Sequence, residues 1–254
     1  MKITFLGTGT SHGVPMAGCD CKTCTSKNPK NRRYRSSVLI QENGKNVLID
    51  IPAEFRLAAI ENRIKKIDAV LITHGHADHI AGLDDIRRYN EIQKSEIPFF
   101  CDDKTADELR QRFSYIFKNT QDGGGKPRVK LNIIEEGNKF DAARFSVIPL
   151  PVMHGNDKIT GFRVGDFAYI TDVSMIPGGT FALLKGLKVL ALDALRPEPH
   201  PTHFNLEQAL QAAAIIGAER TFFIHIAHRL EHEELEAGLP ENIRAAYDGL
   251  GIEL

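Results

Sequence analysis

The sequence has 254 residues, 42% of them hydrophobic and 26% charged, and a net charge of -1. That length can bury a large core, and the composition is that of a globular chain, excluding a fibrous or disordered one. The near-zero charge supplies no global basic field to attract nucleic acid, and no stretch approaches the roughly 18 apolar residues of a membrane span.

In chain order, short apolar runs end repeatedly in a polar or glycine-rich cluster: ITFLGTGTSHG, NVLIDIP, AVLITHGH, FSVIPLPVMHG, FAYITDVS, KVLALDAL and TFFIHIAH. Their length and β-branched or aromatic content predict strands. Among these runs, PAEFRLAAIENRI, KTADELRQRFSYIF, NLEQALQAAAIIGA and LPENIRAAYDGL predict helices. Alternating strands and helices predict an α/β layered fold, read as one domain over 1–254. In open α/β sheets ligands bind at the carboxyl ends of the strands, where His74, Asp172 and His225 stand. The stretch NTQDGGGKPRVK at 119–130 is either a lid or a plain surface connection. The opening MKITFLGTGT enters a strand-like run with no charged segment before it, so a cytoplasmic protein is expected. The expected assembly is a homodimer.

The stretch VLITHGHADHIAGL places three histidines and an aspartate in six consecutive positions. His74 and His76 are two apart, so on an extended or tightly turning backbone both reach one cation. Asp78 and His79 follow at the start of a predicted helix, ADHIAGLDDI, and point to a second position. Imidazole nitrogens and carboxylate oxygens suit zinc, manganese or iron. Four donors are too few for two metals, so more are expected at distant strand ends; His154 in VMHG, Asp172 in YITD and His225 in FIHIAH supply them.

Cys19, Cys21 and Cys24 form CxCxxC, leaving a tetrahedral zinc one ligand short. His228, three residues after His225, is the candidate for the fourth position of a structural zinc. Disulfide cycling is the alternative for such a motif, though the helix opening that a thioredoxin-like motif needs is lacking. A zinc joining GCDCKTC to HIAHR would brace the rim that carries His225 and contribute to folding. Cys101, in PFFCDD, reads as a buried strand residue.

HxHxDH followed by a solitary His, a strand-end Asp and a strand-end His resembles the metallo-β-lactamase superfamily over essentially the whole chain. The resemblance implies a four-layer αββα sandwich with a two-metal site at one edge. It implies that His74, His76 and His154 hold one metal, that Asp78, His79 and His225 hold the other, and that Asp172 bridges both. It also gives Asp50, in VLIDI, the task of orienting a ligating histidine; the glycine the family usually carries soon after that aspartate is absent from DIPAE. LGTGTSHGVPMAGCDCKTC combined with HxHxDH resembles the phosphoribosyl cyclic phosphodiesterase branch and, in part, the pyrroloquinoline quinone biosynthesis protein. Ribonuclease Z shares the core ligands, normally without the cysteines and with a tRNA-gripping arm.

These likenesses imply a binuclear metal-dependent phosphodiesterase, in which a water activated between two divalent metals attacks a small phosphodiester substrate. His203, in PHPTHFNLEQAL, lies just before a helix start and matches a histidine that contacts the scissile phosphate in that branch, so general acid or oxyanion stabiliser is its expected role. Asp78 joins it in the expected catalytic set. His200 is nearby and reads as a turn residue, the GTGTSHG loop carrying His12 either lets backbone approach the substrate or is a tight turn, and Arg87 and Arg88 read as a solvated helix face rather than as contacts to a second substrate phosphate. The alternatives are ribonuclease Z-like RNA processing and a non-catalytic metal-binding or carrier protein in cofactor biosynthesis.

Overall fold

The computed structural model describes residues 1–118 and 125–254. One sheet is built from β1 (Lys2–Gly7), β2 (Ser37–Glu42), β3 (Lys45–Ile49), β4 (Ala69–Leu71), β5 (Ile97–Cys101), β6 (Val129–Ile133) and the C-terminal β14 (Gly251–Glu253). The other holds β7 (Phe140–Ala142), β8 (Phe145–His154), β9 (Asp157–Val164), β10 (Phe167–Ile170), β11 (Val189–Asp193), β12 (Arg220–Ile224) and β13 (Ile243–Ala245). Their spatial orders are β14-β1-β2-β3-β4-β5-β6 and β13-β12-β11-β10-β9-β8-β7. Each sheet is antiparallel at one end and parallel at the other: β3 to β6 run parallel, as do β10 to β13.

Alternation along the strands decides the layering. Ile3, Phe5, Val38, Ile40, Val47 and Ile49 of the first sheet meet Phe162, Tyr169, Val189, Ala191 and Phe222 of the second in one buried cluster between the sheets. The opposite faces are also covered: Leu39, Leu48, Val70 and Phe99 pack on Phe55, Ala58, Ile86 and Leu109, while Ile170, Leu190, Leu192 and Phe223 pack on Ala209, Ala212 and Leu235. Burial on both faces explains why runs such as VLALD are apolar throughout rather than alternating. The result is the four-layer αββα sandwich expected from the resemblance.

The parallel strands set the site. β3, β4, β10, β11 and β12 bring Asp50, Thr73, His74, Asp172, Asp193 and His225 to their carboxyl ends. The helix Leu206–Ile216 starts on a capping box, with Asn205 accepting from the Gln208 N–H and Gln208 answering the Asn205 N–H, and stops at the left-handed Gly217.

Three sequence expectations change. LPENIRAAYDGL forms no helix: Ile243–Ala245 is the edge strand β13, with Ile243 and Ala245 buried and Arg244 outward, and the helix lies earlier, at His232–Gly238. Parallel pairing with β12 buries alternate residues, and that packing overrides helix propensity. KTADELRQRFSYIF splits into helices Asp103–Arg112 and Ser114–Phe117. Of the stretch 119–130, residues 119–124 lie outside the described residues, while Val129 and Lys130 open β6. Cys101 is buried at the end of β5, as expected. No helix among the described residues is long and apolar enough to cross a membrane.

The segment after β3 docks directly on the HADHIAG turn: Ile51 N–H donates to His79 O at 2.7 Å and Gly82 N–H to Ile51 O at 2.9 Å. A Cβ on Gly82 would lie 2.1 Å from Pro52 O. Gly82→Ala is therefore expected to cost about 1–3 kcal/mol of stability, read as a lower urea midpoint with an unchanged m-value; an unchanged midpoint would show that this backbone contact is not tight.

Candidate metal centre

Three of the rim residues leave their strands in a left-handed backbone conformation: Asp50 at φ 60°, Asp172 at φ 55° and His225 at φ 58°. Such φ values cost a non-glycine residue of order 1–3 kcal/mol and gather at functional sites. Here they turn the chain sharply at the ends of β3, β10 and β12, so that three side chains project over one rim.

Asp50 organises the first histidine group. Its carboxylate, fully buried, accepts from Thr73 N–H at 2.9 Å and from Thr73 Oγ1, 2.9 Å from Oδ2. Its Oδ2 also lies 2.7 Å from His79 Nδ1, which must donate to it. Thr73 has spent its hydroxyl proton on Asp50, so at 3.0 Å it accepts from His74 Nδ1. Both imidazoles thus commit Nδ1 to a hydrogen bond and turn Nε2 inward, and both Nε2 atoms are buried without a hydrogen-bond partner. Buried polar atoms are nearly always paired; a cation is the partner that two inward Nε2 atoms call for. His154 is set in the same way: its Nδ1 donates to Thr202 O at 2.9 Å, leaving Nε2 free.

The donors gather in overlapping groups. His74, His76 and His154 form one group, Asp78, Asp172 and His225 another, and Asp172 also joins His74 with His79, and His154 with His203; within each group the ligand atoms lie within 4.8 Å of one another. His79 Nε2 is 3.1 Å from Asp172 Oδ1 and 3.3 Å from Asp78 Oδ2. Burial opposes charge on Asp172, but His225, His79 and His74 hold its carboxyl well below the usual range. Burial likewise opposes charge on His79, and Asp172, Asp78 and Asp50 outweigh it, holding that imidazole well above its ordinary value. Burial brings His225 down to about 3, a neutral ring ready to donate a lone pair. Ionised carboxylates and inward imidazole nitrogens form a donor set that fits divalent cations, with a cation taking the place of the Nε2 proton on His79.

The cysteine cluster closes a few residues away. Sγ of Cys19 and of Cys21 lie 3.3 Å from His228 Nδ1, and Sγ of Cys24 lies 3.6 Å from it. A zinc tetrahedron with Zn–S about 2.3 Å and Zn–N about 2.0 Å has S···N edges of about 3.5 Å. All four cysteines are free thiols, so the arrangement suits a metal rather than a disulfide. The Cys24 N–H brings the Cys21 thiol down to about 6, against burial, whereas burial raises Cys24 to about 11.

His203 stands beside both groups, its ring centroid 4.8 Å from His154 and 4.9 Å from His225. Its Nδ1 donates to Asp193 Oδ2 at 3.0 Å, and the same oxygen accepts from Val173 N–H at 3.0 Å. Burial, only partly offset by His203, pushes Asp193 up to about 6. Burial opposes a charge on His203, but Asp193 and Asp172 raise its pKa above the ordinary value. Sequence reasoning did not pick out Asp193, Thr73 or Thr202; Asp193 had a usable signal, since it ends an apolar run as Asp50 and Asp172 do. His12 and His200 line a cleft with His203. Arg87 and Arg88 lie on the outer helix Ile86–Gln93, paired with Asp84 at 3.4 Å and Glu91 at 2.9 Å.

This sandwich, with its donor-lined rim, belongs to the β-lactamase superfamily: the model of a beta-lactamase superfamily domain matches residues 45–226. Within it, the chain is similar to a solved diphosphatase of the PhnP family, with a TM-score of 0.93 and 43% identity over 99% of this chain and 96% of that one. It is 37% identical to an octanoyltransferase of Porphyromonas gingivalis over 254 residues, 98% of this chain and 51% of that protein. It is 30% identical to ribonuclease Z of Geobacillus kaustophilus over 215 residues, 82% of this chain and 58% of that one. The chain thus spans only about half the length of these last two relatives.

Thr73 offers a specific test of the relay from Asp50. Thr73→Val keeps the shape and removes the hydroxyl, so metal affinity, read by competition with a chromophoric chelator, is expected to fall about 10–100-fold, and Thr73→Ser to restore most of it. Equal affinity in all three proteins would show that His74 does not depend on the relay.

Proposed function

We propose that the chain is a binuclear metal-dependent phosphodiesterase that cleaves a small cyclic phosphate ester of the phosphoribosyl cyclic phosphate type. The observation that carries this reading is the His203–Asp193 pair set against the donor cluster, an acid poised beside a site built for cations. Similarity to a PhnP-family diphosphatase supports phosphoryl chemistry.

His74, His76 and His154 would hold one cation, Asp78, His79 and His225 the second, with Asp172 shared between them. Bound there, two divalent cations supply Lewis acidity, neutralising phosphoryl charge and making water a nucleophile at neutral pH. The remaining work falls to side chains. Asp193 fixes the His203 ring through Nδ1, which leaves Nε2 to hand a proton to the leaving alkoxide. Because Asp193 also accepts the Val173 N–H, the acid is tied to the backbone next to Asp172. Thr202 ties the loop carrying His203 to His154, so donor and acid keep a fixed separation. Likeness to a ribonuclease Z supports RNA processing as a second reading, for which binding should weaken steeply with salt.

The test is hydrolysis of bis(p-nitrophenyl) phosphate with metal content measured on each protein. The expected outcome is turnover by wild type, loss of metal and activity in Asp172→Ala, and in His203→Ala retained metal with a rate lower by about 10²–10⁴-fold. A wild-type protein carrying both metals that does not hydrolyse the diester would overturn the reading.

A further inference from the structure

A groove of about 570 Å³ runs between the helices Phe55–Glu61 and Ile86–Gln93, on the outer face of the first sheet, and none of its lining residues is a metal donor. Ala59, Ile60, Ile64 and Ile92 make an apolar strip along it. Its two walls are fixed to each other. Tyr89 Oη donates to Ile64 O at 3.3 Å, and the rings of Phe55 and Tyr89 lie 6.0 Å apart. Gln93 accepts from Ile67 N–H at 2.8 Å and donates to Ile67 O at 2.9 Å. The groove is therefore preformed, and binding need not order it. Ile60 and Ile92 are nevertheless 61% and 50% exposed. A small molecule seated on the floor would leave such outlying side chains in water, whereas a helix laid along the groove covers them.

The charge around the strip has one sign in excess. Arg56, Arg63, Lys65, Arg87 and Arg88 line the groove against two carboxylates, Asp85 and Glu91, on a chain whose net charge is -1. Arg87 pairs with Asp84 and Arg88 with Glu91, each on a wet helix face where such pairs contribute little and yield to a competing anion. Arg56, Arg63 and Lys65 have no ion pair among the described residues, although Lys66 beside them pairs with Asp68 at 2.7 Å. Arg63 also holds the left-handed position that follows its helix, at φ 53°, where glycine is the usual residue. Backbone preference does not account for an arginine there.

We infer that this groove docks a protein partner through an acidic amphipathic helix, with apolar side chains laid on Ile60, Ile64 and Ile92 and carboxylates on Arg56, Arg63 and Lys65. Guanidinium groups suit carboxylates because the fork matches both oxygens. A nucleic acid would satisfy the cations but set the exposed isoleucines against a charged backbone. A second copy of this chain fits no better: its acidic helix, His232–Gly238, turns Glu233 and Glu234 outward but buries Leu235, the apolar side chain the groove would need. The surface lies apart from the rim, so the inference stands whichever reaction the rim performs.

The probe is a labelled synthetic helix of about 15 residues, long enough to span both walls, with leucines on one face and glutamates on the other. Its binding is read by fluorescence anisotropy beside two analogues, one with glutamine for glutamate and one with alanine for leucine, and beside a labelled oligouridylate of similar length. The proteins are wild type, Arg63→Glu/Lys65→Glu and Ile60→Asn/Ile92→Asn, with melting temperatures confirming that each is folded. Wild type is expected to bind the acidic helix at least tenfold more tightly than either analogue or the RNA, and each double variant to lose about tenfold. No binding of the helix by wild type, or equal binding by wild type and both variants, would overturn the inference. Tighter binding of the RNA would make the groove a nucleic-acid face and overturn it as well. So would a wild-type oligomer in sedimentation that falls apart in Ile60→Asn/Ile92→Asn, because a second copy would then cover the groove.

Discussion

One buried carboxylate governs the geometry of the site. Asp50 is wholly out of water, and an unpaired charge there would cost several kcal/mol, so the fold surrounds it with Thr73 N–H, Thr73 Oγ1 and His79 Nδ1. Those same bonds decide which nitrogen of His79 and, through Thr73, of His74 faces inward. Satisfying one anion thus leaves two Nε2 atoms unsatisfied, and that debt is transferred to the centre of the rim. The left-handed turns at Asp50, Asp172 and His225 add backbone strain at the same rim, tolerated because sheets packed on both faces overdetermine the strand ends.

The exit of β12 carries two chemistries on one short turn. His225 faces oxygen and nitrogen donors, while His228 faces three sulfurs. Softness separates them: thiolates select zinc, whereas the mixed imidazole and carboxylate set admits several divalent metals. The backbone keeps them in register, since Ile226 N–H donates to Thr8 O at 3.0 Å and Thr10 N–H to Ile226 O at 3.3 Å. The N-terminal loop is therefore held at both ends, by the sheet and by the cysteine cluster, and it forms one wall of the cleft beside His203.

Much of this was legible in the sequence because chemistry and chain position coincide. His74, His76, Asp78 and His79 are local, so one loop displays them together, and His154, Asp172 and His225 each end an apolar run. CxCxxC is equally compact. What escaped works through the backbone or through a neighbour: Thr202 acts by its carbonyl, Thr73 by a relayed proton, and Asp193 by orienting a ring ten positions away. No spacing rule encodes those contacts before the loops are placed. The helix expected over 239–250 failed for a related reason, because parallel pairing with β12 fixed the conformation of Ile243–Ala245 from outside the segment.

The central claim is that Asp50 prepares a cation site distinct from the cysteine cluster, and a metal count by native mass spectrometry with elemental analysis addresses it most directly. Wild type should carry about three metal ions per chain, two on the rim and one among the cysteines, and Asp50→Ala should fold but keep only the last. Wild type carrying a single ion, or Asp50→Ala carrying the full wild-type complement, would contradict the account.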